Sequence, residues 1–388
     1  MKILILYAMA GGGHKAAALA AREYLVRAFP HAQVRVEDGL KALVRLCGPV
    51  NWACCEAYKG AVKRAPWIYA AGYRAADREG LVGRLIPLTN AYLSRWLYPS
   101  LKAFEPDVVI STFHFLGQMV SRLIESGAVD TKLIQLVTDY APCRPWVCKR
   151  ADAYVVADRS MIPQMEARGV AGAAVYPLGI PVRAAFFSRP DQTLLRGELG
   201  LDASLPTLLL MGGSFGVRRL LAVFRELLQL PEAFQIVAIA GNDAALRNAL
   251  ERAASDAHRP TRILGFSTQV ERYMHAADLL ITKAGGLTVS EALACDLPIV
   301  CYDAIPGQEE NNARFLQHAG MGVYVRDGSC AQAVAALLGD RERLYAMRER
   351  CRAYDKSSCE EALAHLVARL TGQSGVSGLD VRRPAASL

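Results

Sequence analysis

Short apolar runs alternate along this chain with longer stretches in which apolar residues recur every three or four positions, so strands and helices are expected in turn. The first half has strand-length runs at residues 2–7, 33–37, 107–112, 132–138 and 153–157. The second half has them at 207–211, 235–240, 261–264, 278–282, 298–302 and 322–325. Strands separated by helix-length stretches predict parallel sheets with crossover helices, and two sets of them predict an α/β chain of two doubly wound domains.

Residues 176–190 gather turn-forming residues and three prolines between the two sets, which marks an interdomain linker. The boundaries expected are 1–180 for the first domain and 191–345 for the second. A helical pattern over 340–370 follows the last strand, and its part over 346–370 is expected to cross back to the first domain. The tail, 371–388, has the small and polar composition of a flexible end.

A length of 388 residues agrees with two domains. With 52% hydrophobic and 21% charged residues the chain is packed and globular. No apolar interval reaches the ~18 residues that suggest a membrane span, and the run 3–10 reads as a buried first strand rather than a signal peptide. Ten cysteines without a single C-x-x-C give neither a zinc knuckle nor a disulfide framework, which fits a reducing cytoplasm.

The net charge of +8 draws the protein to polyanions, and one segment holds most of the bias. Between Lys41 and Lys102 ten basic residues stand against three acidic ones, interleaved with Trp52, Tyr58, Trp67, Tyr69, Tyr73, Tyr92, Trp96 and Tyr98. Such a mixture over residues 40–104 suits a surface that rests on anionic headgroups, since Trp and Tyr tolerate one wet end while Lys and Arg meet phosphates. A helical insertion with a small aromatic core under a solvated basic face reads the same way.

Candidate chemistry lies in the loops that follow strands. In "ITKAGGLTVSEALA" a strand feeds Gly285 and Gly286, and a helix begins with Thr288 and Glu291 in its first turns. Free amides at a helix start attract phosphate, and a carboxylate can accept from both hydroxyls of a ribose. The next loop, "YDAIPGQEENNARFL", sets Gln308, Glu309 and Asn312 at helical spacings of three and four, a display that suits sugar hydroxyls. A third, "LLLMGGSFGVRRL", places Gly212, Gly213, Ser214 and Gly216 where backbone amides meet a diphosphate. Its spacing is not G-x-G-x-x-G, which argues against a dinucleotide. Phe266 in "ILGFS" is a candidate cover for a base. Taken singly, each loop also reads as an ordinary βα turn.

"TKAGGLTVSEALACDLPIVCYDAIPGQEENNARFL", with "GGGHKAAALAA", "VTDYAPCRPWV" and "GIPVRAAF", resembles the processive diacylglycerol glycosyltransferases and monogalactosyldiacylglycerol synthases, relatives of the peptidoglycan N-acetylglucosaminyltransferase. The resemblance covers about residues 1–370. It implies a GT-B fold, two Rossmann-like domains facing a central cleft. It also implies a UDP-sugar donor in the second domain, an acceptor lipid in the first, and inversion at the anomeric carbon. By the same resemblance Glu291 holds the ribose; Gly285, Gly286 and Thr288 the phosphates; Gln308, Glu309 and Asn312 the hexose. The loop 212–216 closes on the diphosphate, and the backbone near Phe266 reads uracil. The chain departs from the family pattern at Cys143, ahead of Trp146, where many members have histidine, and at "STFHFLG" in place of T-H-P. Both departures bear on the acceptor.

Gly11, Gly12 and Gly13 are then expected to let the backbone run close to the donor phosphates, with His14 at the mouth of the helix. A helix start disfavours imidazolium, so His14 should be neutral and able to take the acceptor hydroxyl's proton; Asp139 is the second candidate base. No D-x-D occurs in the chain, and neither metal nor cofactor is expected. The sequence reading is thus an inverting hexosyltransferase from a UDP-sugar to a lipid hydroxyl, with diacylglycerol the acceptor expected. Its expected place is the cytoplasm, peripheral on the inner face of the cell membrane, with an anionic membrane rather than a nucleic acid as partner. A UDP-sugar epimerase or hydrolase, and a non-catalytic UDP-sugar sensor, are the alternatives.

Overall fold

The computed structural model describes residues 1–9, 12–41, 77, 81–212, 219–257 and 259–373, with backbone alone over 81–88 and at 91. Gly11, Gly213, Ser214, Gly216, the tail beyond 373 and most of the basic aromatic segment (42–76 and 78–80) lie outside the described residues. The chain divides into two compact units, Met1–Arg183 with Lys356–Leu388, and Ala184–Asp355.

The first unit runs β1 (Lys2–Tyr7), α1 (Gly12–Ala28), β2 (Gln33–Asp38), α2 (Leu81–Phe104), β3 (Val108–Ser111), α3 (His114–Glu125), β4 (Lys132–Leu136), β5 (Ala153–Val155), α4 (Met161–Glu166) and β6 (Val175–Tyr176). The strands form one parallel sheet in the order β2-β1-β3-β4-β5-β6. Ile3, Leu4, Ile5 and Leu6 of β1 and Val108, Val109 and Ile110 of β3 are fully buried, as strands are when helices cover both faces. β2 lies at the sheet edge, and its Val34 and Val36 are shielded while Gln33 and Arg35 between them are exposed. The direction of travel reverses between β1 and β3, which is the switch point of the sheet.

The second unit runs α5 (Gln192–Glu198), β7 (Thr207–Met211), α6 (Leu220–Leu228), β8 (Gln235–Ile239), α7 (Ala244–Ser255), β9 (Thr261–Leu264), α8 (Val270–Ala276), β10 (Leu279–Thr282), α9 (Gly286–Ala294), β11 (Ile299–Tyr302), α10 (Gln308–His318), β12 (Gly322–Val325), α11 (Cys330–Gly339) and α12 (Arg341–Ala353). Its sheet is again parallel, in the order β12-β11-β10-β7-β8-β9, with the reversal between β7 and β10. Leu208, Leu210, Ile236 and Ile281 from the strands pack on Val223, Phe224, Leu250 and Val334 from the helices. Two parallel six-stranded sheets, each flanked by helices, are the two-domain α/β architecture of the GT-B fold.

The single helical stretch expected over 340–370 is two helices. α12 ends at Ala353, the polar residues Asp355, Lys356, Ser357 and Ser358 intervene, and α13 (Cys359–Thr371) follows. α13 belongs to the first unit, where it packs on α1. Small residues of α1 (Ala17, Ala18, Ala20, Ala21) permit the close approach, and Arg27 forks onto the Glu360 carboxylate with two bonds of 2.7 and 2.8 Å. Beside them the Tyr24 hydroxyl donates to the Val182 carbonyl. The two-residue strand β6 is the other element the sequence pattern misses; it is too short to show a period.

Candidate functional site

Each unit gathers its candidate residues at the carboxyl ends of its strands, beside its own switch point. In the first unit, α1 follows β1 and begins with Gly12, Gly13 and His14, while α3 follows β3 and begins with His114. Because β1 and β3 are neighbours, residues about a hundred apart in sequence become adjacent. His14 Nδ1 lies 2.7 Å from the Thr112 carbonyl oxygen and 3.1 Å from Thr138 Oγ1. A carbonyl can only accept, so the ring proton sits on Nδ1 and Nε2 carries the lone pair. The Thr112 hydroxyl donates in turn to the His14 backbone carbonyl at 3.0 Å, which ties the start of α1 to the end of β3.

Burial pushes the His14 imidazole down to about 4, against the opposing pull of the Thr112 carbonyl. The ring is neutral, as the sequence suggests, but enclosure is the leading cause rather than the helix start. The Phe113 ring meets it edge-on at 5.1 Å between centroids. Asp139 is buried just beyond β4, in the segment that also supplies Thr138. Trp146, at the end of the short turn Arg144–Trp146, is buried with its ring 5.3 Å from that of His114, and Cys143 is buried ahead of it.

In the second unit, Gly212 follows β7, Phe266 follows β9, Gly285 and Gly286 follow β10, and Gln308 opens α10 after β11. All lie at the same edge of a parallel sheet. Gly285 is the N-cap of α9 with an ordinary backbone (φ −67°, ψ 131°), and a Cβ added there meets no atom of the described residues within 4 Å. Neither conformation nor packing demands glycine, so the open space above the helix start is available for a ligand to approach the amides. Thr288 and Glu291 are half-buried on the same helix. Phe266 is 69% exposed and presents an aromatic face to solvent.

The β11–α10 turn is braced from below. Gly307 has φ 100°, a conformation that favours glycine, and starts α10 sharply. Glu309 is buried, with Oε2 accepting from the Ile305 amide at 2.9 Å and Oε1 3.5 Å from Lys283 Nζ, itself buried. The fully buried Asn312 donates from Nδ2 to the Ala284 carbonyl at 2.9 Å. Lys283 and Ala284 belong to the loop after β10, so these contacts join two loops at the same sheet edge into one piece. Gln308, one residue earlier, is half-buried. Among the described residues no group of three or more His, Cys, Asp or Glu side chains is arranged to hold a metal.

Four residues that take part went unmarked in the sequence. Thr112 and Thr138 act on His14 only because β1, β3 and β4 lie side by side; His114 and Lys283 stand inside quoted motifs, but their partners come from other loops.

Comparison with known proteins gives a consistent set of similarities. The family model described as monogalactosyldiacylglycerol (MGDG) synthase matches residues 14–182, and that of the glycosyltransferase family 28 C-terminal domain matches residues 207–364. The chain is 28% identical over 336 residues to monogalactosyldiacylglycerol synthase 3 (chloroplastic) of Arabidopsis thaliana, covering 84% of this chain and 71% of that protein. It is 28% identical over 264 residues to the processive diacylglycerol beta-glucosyltransferase of Bacillus licheniformis, covering 68% of each. Among solved structures it is similar to Acinetobacter baumannii MurG, with a TM-score of 0.63 at 16% identity, covering 95% of this chain and 99% of that one.

Proposed function

The chain belongs to the family of the monogalactosyldiacylglycerol synthases and processive diacylglycerol glycosyltransferases, and on that premise we propose that it moves a hexose, with inversion, from a UDP-sugar to the hydroxyl of diacylglycerol at a membrane surface. It is a glycosyltransferase of GT-B fold. The space beside Gly285 at the start of α9, where an added Cβ meets no described atom within 4 Å, is the observation that carries the donor reading. There the diphosphate meets Gly285, Gly286 and Thr288, joined by the loop from Gly212. Glu291 accepts from the ribose hydroxyls and the half-buried Gln308 faces the hexose, whereas Glu309 and Asn312, expected from the sequence to bind the sugar, are buried and bonded within the protein and hold that turn in place. Strands lie ~4.8 Å apart, so Phe266 after β9 stands roughly 15 Å from the loop after β10, a separation that suits a base at one end and a diphosphate at the other.

The reaction follows from the protonation state of His14. Its Nε2 lone pair takes the proton of the acceptor hydroxyl as that oxygen forms a bond to C1 of the hexose. The bond from C1 to the diphosphate oxygen breaks, and the negative charge passes to UDP, where helix-start amides receive it without reorganisation. The Nδ1–H donates to the Thr112 carbonyl throughout and so fixes the ring. The basic aromatic segment over 40–104 brings the enzyme to its insoluble acceptor. In its described part Arg95 stacks on Tyr92 at 3.8 Å, and Lys102 lies 5.6 Å from the Tyr98 ring centre. No described helix is long and apolar enough to cross a membrane.

Binding to vesicles is therefore expected to rise with the fraction of anionic lipid and to fall steeply between low salt and about 0.5 M, where the screening length is a few ångströms; co-sedimentation measures it. The Gly285→Ala variant is expected to lose about 1 kcal/mol of stability or less, since alanine is a poorer N-cap, while its affinity for UDP falls by about tenfold or more; calorimetry with UDP checks this. The whole reading is tested by supplying labelled UDP-hexoses and diacylglycerol in anionic vesicles and identifying the lipid formed. Consumption of UDP-sugar without any acceptor points to an epimerase or hydrolase instead.

A further inference from the structure

His114 opens α3 immediately after β3, next to the strand that leads into His14. Three rings fix its plane: Phe113 at 4.6 Å, Phe115 at 4.1 Å and Trp146 at 5.3 Å between centroids. Phe113 touches both imidazoles. Yet no hydrogen bond to either ring nitrogen of His114 is found among the described residues. Its surroundings behave otherwise: the His14 Nδ1 has the Thr112 carbonyl, Gln118 donates to the Pro145 carbonyl at 2.8 Å, and Gln135 donates to the Ser111 carbonyl at 3.2 Å. The ring is half-buried, so a nitrogen that no described group claims is open to a molecule entering from solvent.

We propose that His114 is a second acceptor-contacting residue, whose ring N–H donates to an oxygen on the carbon next to the attacking hydroxyl. The acceptor class it selects is a hydroxy-ester or vicinal diol rather than a plain long-chain alcohol. This rests on the reading of His14 as the base toward a lipid hydroxyl. Because the His14 Nε2 accepts from that hydroxyl, a group alongside it meets the neighbouring atoms of the acceptor. Diacylglycerol presents an ester oxygen there, and the Phe113, Phe115 and Trp146 rings border the contact with apolar surface. Burial, with the neighbouring His14 disfavouring two positive rings side by side, pushes the His114 imidazole down to about 3, so at neutral pH it has one N–H to give and carries no charge.

The test compares two acceptors in the same vesicles, dioleoylglycerol and oleyl alcohol, for the full-length enzyme and for His114→Phe and His114→Gln. The unaltered enzyme is expected to favour dioleoylglycerol in kcat/KM by about tenfold or more, the effect of one well-placed hydrogen bond in a shielded site. In His114→Phe that preference collapses toward unity, with thermal unfolding measured alongside to show the fold intact; His114→Gln, with an N–H restored, recovers part of it. A His114→Phe enzyme that keeps the full preference overturns the inference. If that variant is inactive on both acceptors, His114→Ala is read by the same ratio. Equal use of the two acceptors by the unaltered enzyme overturns the inference alone, whereas failure to glycosylate either lipid removes the proposed function, and the inference with it.

Discussion

Replacing His14 with alanine is expected to lower kcat by on the order of 10²–10⁴-fold, the usual contribution of a positioned general base, while UDP affinity stays within about twofold. The expectation follows from one lone pair. Thr112 occupies Nδ1, so Nε2 is the basic nitrogen, and alanine leaves the acceptor proton no recipient in that place. Asp139→Asn supplies the contrast: near-normal turnover in His14→Ala with collapse in Asp139→Asn assigns the base to the carboxylate instead. The pH profile separates the two further. With the imidazole held down to about 4 by burial, kcat/KM is level across neutral pH and falls only as pH drops through that value. Stability moves in the same direction. The unfolded chain protonates this histidine near its ordinary value of 6.5 and the folded one does not, so stability declines as pH falls from 6.5 toward 4. Thermal unfolding followed across that window checks the sign, and His14→Ala removes its share of the slope.

Lys283→Met is expected to destabilise the second unit by about 3–5 kcal/mol, because it leaves the Glu309 carboxylate buried without its countercharge. Both side chains are shielded from water, and the pair stands at 3.5 Å, so water cannot replace the lost ammonium. The double variant Lys283→Met, Glu309→Leu should recover most of the loss, since a buried pair exchanged for apolar groups of similar size is often neutral in stability. Donor affinity is expected to stay low in the double variant, which lacks the carboxylate. The carboxylate also accepts the Ile305 amide, and through it the turn that opens α10 keeps its shape. Urea unfolding separates the single from the double variant, and UDP-sugar titration shows that recovered stability does not bring recovered binding.

Much of the fold was legible because its strands are simple. Runs such as 2–7, 207–211 and 298–302 are buried on both faces and bounded by helices, so composition alone locates them. β6, with two residues, offers no pattern, and the break between α12 and α13 is set by a short polar interval inside a continuous helical period. For the candidate site, Gly285 and Glu291 stood out because a strand, a glycine pair and a helix start are consecutive in sequence. His114 and Lys283 did not, since each acquires its surroundings from segments brought together only by the strand order. The neutrality of His14 was anticipated through the helix start, whereas the burial that produces it comes from segments the strand order brings together, among them Phe113 and Thr138.

The return of α13 to α1 has a consequence for synthesis and for engineering. A ribosome delivers 184–355 before the stretch that completes the preceding unit, so the later-made unit can close first while the earlier one waits with one face of α1 bare. A hybrid enzyme that exchanges donor specificity should accordingly graft 184–355 as an insert and leave 356–371 with the front portion, because a single junction at 183 would hand that helix to the wrong parent.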